Sequence, residues 1–302
     1  MQHTQSFNAL LSSAMLVAGA LVGTAALATE GGGTVYPNGA DNFAAGAMPP
    51  PGNYGMLFAT QYNADRVNDG NGNNLNVPGF KVTANVLAPR FIWVTGTKLF
   101  GGDLSLHAIV PVVNLKVAVA GNSQTKSGVG DITAGPGIGY HHSANLHSLV
   151  GLDFYLPTGG YNKNDLANIG RNYAAIEPLY ILSYIDPAGF NGDIKAGYII
   201  NQRNRDTAYK SGHEFHFDYA AGWGFGNGFT AGIGGYFYQQ VTSDVQAGTT
   251  LANSRGKTFA VGPSVKYDSG KGWFATLKWQ QETTVENRAQ GNALWLKAVF
   301  PL

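Results

Sequence analysis

His213-Glu214-Phe215-His216 places two imidazoles around a carboxylate, a set that could hold a metal or move a proton. His141-His142 offers a second pair of ring nitrogens. Spacing argues against both as sites. On a strand, positions 213 and 216 point to opposite faces and cannot converge, and two adjacent histidines beside a turn are ordinarily solvated. Residues 135–139 and 222–226 are rich in glycine, yet no Lys-Ser/Thr pair follows and neither stretch leads from strand to helix. They are not phosphate cradles, and no cofactor or metal is expected. With no cysteine in 302 residues, disulfides and thiol chemistry are excluded. A formal charge of +1 provides no footprint for nucleic acid.

The elements that would carry these residues follow from the hydrophobic pattern, which is clearest over residues 294–302. Leu294, Leu296, Ala298, Phe300 and Leu302 alternate with Trp295, Lys297 and Val299. A period of two makes one strand face oily and leaves the other mixed. An exposed oily strand invites aggregation in water but is at home against lipid. Only 12% of residues are Asp, Glu, Lys or Arg, about half the usual share, and glycine reaches 42 residues. Mean hydropathy is −0.09. Beyond residue 30 no window approaches the roughly 18 apolar residues of a spanning helix. Alternating strands average to such a neutral score, so the expected fold is all-β: a transmembrane antiparallel up-and-down barrel.

Three segments are expected. Residues 1–28 read as a secretory signal peptide, with Ala26-Leu27-Ala28 as a small-x-small cleavage site. Residues 29–52 are rich in Gly, Ala and Pro, including Pro49-Pro50-Pro51, which cannot join a ladder. They are read equally as a loose periplasmic tail or as a plug in the lumen. Residues 53–302 form the barrel. Strands are predicted at about 53–66, 78–95, 102–118, 129–141, 147–158, 173–185, 192–202, 213–225, 229–243, 257–268 and 272–285, with a twelfth after a loop over 287–291. Residues 123–127 read as a loop. Connections alternate short and long, with the longest at 159–172, which places short turns and both barrel ends in the periplasm. Pro89, Pro111, Pro136, Pro178 and Pro263 fall inside strands and are expected to mark bulges, or a kinked wall with a sideways exit.

Alternation also assigns faces. A Lys or Arg held against hydrocarbon costs about 2–4 kcal/mol near the midplane, so the charged face is the lumen. That face collects Asn85, His107, Asp131, Asp153, Glu177, Lys195, Glu214, His216, Asp218, Lys266, Lys278 and Lys297. Both signs are present, which fits either a salt-bridged filling or a polar path. Trp273 and Trp279 are placed at the two membrane interfaces. Asp165, Asn168 and Arg171 lie in the longest loop, at the external mouth.

Several stretches together resemble the MetA-pathway of phenol degradation family of outer-membrane transporters, including its sphingosine-responsive group. They are residues 45–52, 165–173, 211–216, 234–241 and 272–297, so the likeness spans the mature chain. The resemblance implies an outer-membrane barrel of a Gram-negative bacterium and uptake of aromatic or other hydrophobic solutes. The partners expected are that solute, outer-membrane lipids, and the barrel assembly machinery through the C-terminal strand. A passive channel is the first reading and a lipid-acting barrel enzyme the second.

Overall fold

The structure, a computed structural model, describes residues 29–302, and the leader expected over residues 1–28 lies outside them. Apart from a single 3-10 turn at Glu30–Gly32, its regular elements are strands. The first half contains β1 (Gly52–Val67), β2 (Lys81–Leu99), β3 (Gly102–Ile109), β4 (Val112–Val119), β5 (Asn122–Val129), β6 (Ile132–His141) and β7 (Leu146–Leu156). Then come β8 (Ala175–Tyr184), β9 (Phe190–Asn201), the short β10 (Arg203–Asn204) and β11 (Tyr209–Lys210), β12 (Glu214–Gly224) and β13 (Phe229–Gln240). The short β14 (Val245–Gln246) and β15 (Thr249–Thr250) precede β16 (Lys257–Asp268), β17 (Phe274–Glu286) and β18 (Ala289–Pro301).

β3 with β4, and β5 with β6, each serve as one long wall strand, so twelve antiparallel strands close a barrel. Closure is made by β1, which pairs with β18 on one side and β2 on the other. The alternation seen in the terminal strand sorts its side chains: Leu294 and Leu296 are 45% and 42% exposed, while Trp295 and Lys297 are 7% and 1% exposed. Trp273, just before β17, and Trp279, in the middle of that strand, both lie on the exposed face. A closed barrel belted in this way is an outer-membrane protein of a Gram-negative envelope.

Three expectations about the wall change. Residues 123–127 are not a loop but the middle of β5, paired with β4 around a two-residue turn at Ala120-Gly121. That turn has φ of 49° and 82°, the left-handed pair that matches strand twist in a tight hairpin. The stretch is polar because the hairpin rises past the apolar belt, where both faces of a strand can be wet. The loop expected at 287–291 is only Asn287-Arg288. Pro136, Pro178 and Pro263 do not mark bulges: pairing skips a two-residue rung beside each and resumes in the same register. The register shifts fall elsewhere, at Ala64/Arg66, Phe259/Ala260 and Val94/Lys98.

Leu296→Arg places a guanidinium on the lipid face of the closing strand. Reversible urea unfolding in lipid vesicles should report a loss of about 2–4 kcal/mol, against little change for Leu296→Phe.

Candidate functional site

Inward-facing charges meet a second structure inside the barrel. The chain before β1 runs through the lumen, and its backbone is hydrogen-bonded to side chains of the wall. The Asp218 carboxylate on β12 accepts the Tyr36 hydroxyl at 2.6 Å and the N–H groups of Gly39 and Asp41 at 2.8 and 2.9 Å. Asp193 accepts the Ala45 N–H at 3.0 Å, and the Ser183 hydroxyl oxygen accepts that of Gly46 at 2.8 Å. The side chain of Asp41 lies between Lys195 at 3.2 Å and Lys297 at 3.5 Å. Lys278 donates to the Asp41 carbonyl at 2.7 Å. Three buried ammonium groups thus surround one residue of the inner segment. A buried charge without such partners is costly, so the lysines and Asp41 depend on one another.

Side-chain shape completes the fit. Phe43 is fully buried, and a Cβ added at Gly222 would lie 2.8 Å from its ring. A Cβ at Gly139 would lie 2.7 Å from Met48. The wall is glycine at these points because the inner segment occupies the space a side chain would take. The Tyr36 ring stacks on His216 at 4.1 Å, with the Lys195 ammonium 4.2 Å from the ring's centre.

Of the twelve lumen residues read from the sequence, Lys195, Asp218, Lys278 and Lys297 bind the inner segment by hydrogen bond or ion pair. Asp153, Glu177, Glu214 and His216 have partners in the wall, and His216 also stacks on Tyr36. His216 and Glu177 lie 3.0 Å apart, with the Tyr155 hydroxyl donating to the same carboxylate. A Cβ at Gly197 would come within 2.1 Å of Glu177, so glycine there makes room for the pair. Asp153 bonds His107 at 2.9 Å, and Glu214 accepts from Asn201 at 2.6 Å. His107 and Lys266 also face the lumen, as expected. Two other assignments are corrected. Asn85 faces outward, sharing the face of the exposed Leu87 and accepting from Gln61 at 3.1 Å. Asp131 sits between β5 and β6, where it accepts the N–H groups of Gly159 and Arg171 at 2.8 and 2.7 Å, anchoring the long loop.

Above the inner segment is a cavity of about 700 Å³, the size of a small-molecule site. Its wall is the inner face of β2 and β4, including Val82, Val86, Leu115 and Val117. Over residues 82–86 of β2 and 113–117 of β4 the usual barrel pattern is inverted. The inner face is oily, and the outer face carries Thr83, Asn85, Asn114 and Lys116. Asp165, Asn168 and Arg171 from the long loop border the same cavity, as does the inner segment at Glu30, Tyr36 and Asn38. The loop is fastened to β5: Asp165 pairs with Lys126 and accepts from Gln124 at 2.9 Å, and Gln124 accepts the Ala167 N–H at 2.8 Å. These bonds to Lys126 and Gln124 hold the Asp165 carboxyl below its ordinary pKa.

The histidine motifs remain outside any site. His213 contacts the Tyr198 hydroxyl at 3.3 Å, away from buried His216. His141 meets His147 at 2.8 Å, and His142 meets Ser148 at 2.7 Å. Ser148 is buried, and His142 makes no side-chain hydrogen bond to a third group, so the pair lacks the orienting member of a hydrolase triad. Among the described residues no group of three or more His, Cys, Asp or Glu could hold a metal. Sequence reasoning missed Asp41, Asp193 and Arg288, the last of which borders the cavity. Asp193 was available from its period-two relation to Lys195. Arg288 lay in what read as a loop, and Asp41 in a segment without periodicity.

Asp218→Ala removes three bonds to the inner segment. Proteolysis of the folded barrel should then cut within residues 29–51 far faster than in the native protein, with the barrel itself intact. Asp165 gives a second expectation. Its lowered pKa means that loop docking is fully supported above the ordinary carboxylate value near 4 and fades as pH falls below it. Hydrogen exchange of residues 159–172 should rise over that acid range, and Lys126→Gln should blunt the pH dependence.

The comparisons with known proteins agree with this architecture. An outer membrane channel from Pseudomonas putida F1 superimposes with a TM-score of 0.74 at 19% identity, covering 87% of this chain and 99% of that one. The transport unit of the autotransporter AIDA-I from Escherichia coli does so with a TM-score of 0.51 at 7% identity, covering 88% and 94%. At these identities the likeness concerns the fold. No curated protein matches the sequence. The model of the MetA-pathway of phenol degradation family matches residues 64–298, and the chain belongs to that family.

Proposed function

We propose that the protein is a passive outer-membrane channel for small hydrophobic or aromatic molecules, with the cavity beneath the long loop as its binding site. The observation that carries this reading is the inverted alternation of β2 and β4, which lines the cavity with valine and leucine and leaves the outside polar. A water-filled pore for ions or sugars has no use for such a lining; an apolar solute gains roughly 25 cal/mol for each Å² it buries there. Residues 29–51 act as a plug that closes the lumen below the cavity. The mixed charges of the lumen serve to hold that plug, so they set no ionic selectivity.

An axial route requires Asp41 to leave Lys195 and Lys297. Entry to the cavity from outside, past the long loop, needs less. β5 is the one terminal strand of the large sheet, and along its free edge the wall is continued by side-chain bonds from Gln124 and Lys126 to the long loop. The enzyme reading has no comparable support: among the described residues the His142–Ser148 pair has a buried hydroxyl and no third member.

In a deletion strain, uptake of an aromatic hydrocarbon or a long-chain acid or amine at low concentration should slow several-fold and recover when the gene is restored. The same gene carrying Leu115→Asp and Val117→Asp should restore little. Uptake unchanged across such a panel would overturn the channel reading.

A further inference from the structure

An oily wall attracts many solutes, and the cavity's floor narrows the choice. There Trp295 and Gln280, 7% and 2% exposed, meet Thr60 of β1 and Asn38 of the inner segment. Register brings them together. Thr60 is the partner of Trp295 across β1 and β18, and Gln280 pairs with Ala293, two residues from Trp295. Asn38 arrives from below, its carbonyl accepting from Gln280 at 3.5 Å. Each of the four has buried polar atoms without a hydrogen-bond partner: the Trp295 indole N–H, the Gln280 amide oxygen, the Thr60 hydroxyl, and both amide atoms of Asn38. Such groups are ordinarily paired, and their gathering on one side of an apolar cavity marks a recognition patch.

We propose that this patch selects a neutral solute bearing a hydroxyl group on an apolar body, an inference that rests on the channel reading above. Indole N–H can only donate and the Gln280 oxygen can only accept, while Thr60 and Asn38 do both. A hydroxyl likewise donates and accepts, so it answers both kinds of group at once. A carboxylate accepts only and would face the Gln280 oxygen unmatched. A bare hydrocarbon satisfies none of the four. Charged groups also border the cavity: Glu30, Lys163, Asp165, Arg171, Glu282 and Arg288. Glu282 accepts from Tyr62 at 3.1 Å and from the Gly291 N–H at 2.6 Å. Arg288 lies 4.1 Å over the Tyr238 ring, with one guanidinium nitrogen unpartnered. That nitrogen is a competing feature, since it would favour an anion instead.

Three probes of one shape separate these outcomes: naphthalene, 1-naphthol and 1-naphthoate. Each is equilibrated at neutral pH with the full chain in lipid nanodiscs, and binding to empty nanodiscs is subtracted. 1-Naphthol should bind roughly tenfold tighter than naphthalene, with naphthoate weakest. Trp295→Phe with Thr60→Val should bring 1-naphthol down to the level of naphthalene in the same variant. Equal binding of naphthol and naphthalene by the native protein would overturn the hydroxyl proposal and leave the channel reading standing. Tightest binding of naphthoate would overturn it in favour of the cations that border the cavity, Lys163, Arg171 and Arg288. A preference for naphthol that survives in a folded double variant would refute the assigned floor. Failure of all three to bind would sink the cavity as a solute site altogether.

Discussion

Hydrocarbon cannot hydrogen-bond a peptide group, so a sheet that crosses lipid must pair its first strand with its last. In this chain that condition is met where β1 takes β18 on one edge and β2 on the other. Closure then divides every strand into a face for lipid and a face for the interior. All the charge the barrel carries at membrane depth is driven inward, where no bulk water is guaranteed. The interior must supply partners instead. Some charges find them across the wall, as Glu177 finds His216 and Asp153 finds His107. The lysines of β9, β17 and β18 find theirs on the inner segment.

The inner segment is therefore both a guest and a structural component. Beyond the turn at Glu30–Gly32 it has no regular element of its own, and its proline run prevents it from joining the sheet. Asp218 alone satisfies three of its donors. In return Asp41 neutralises ammonium groups that would be stranded in an empty lumen. Such mutual dependence explains why a chain with few charges concentrates them on the barrel's inner face. Above the segment the inner faces of β2 and β4 turn oily, opposite charged residues of the long loop.

Much of the fold was legible in the residues. Leu294, Leu296 and Phe300 against Trp295 and Lys297 announced the faces of the last strand, and the same rule placed Asp153, Lys195, Asp218 and Lys278 inside. It failed at Asn85, because alternation tells only that two faces differ. Which one is wet depends on height relative to lipid, and β2 extends past the belt. It failed at residues 122–127 for a related reason: a strand wet on both faces looks like a loop. The cavity itself was not legible. Its lining comes from β1, β2, β4, β17, β18, the long loop and the inner segment, which are joined by closure rather than by spacing in the chain.

By its sequence alone, this protein was determined to be a barrel with a charged interior, because period two, scarce charge and turn spacing are local properties. The family likeness was carried by the same residues. Tertiary structure decided which wall groups bond residues 36–46, which lysines share Asp41, and which unpartnered polar groups border the cavity beside Trp295. Those outcomes depend on which buried groups can satisfy one another once the barrel has closed, and a linear pattern holds no record of that.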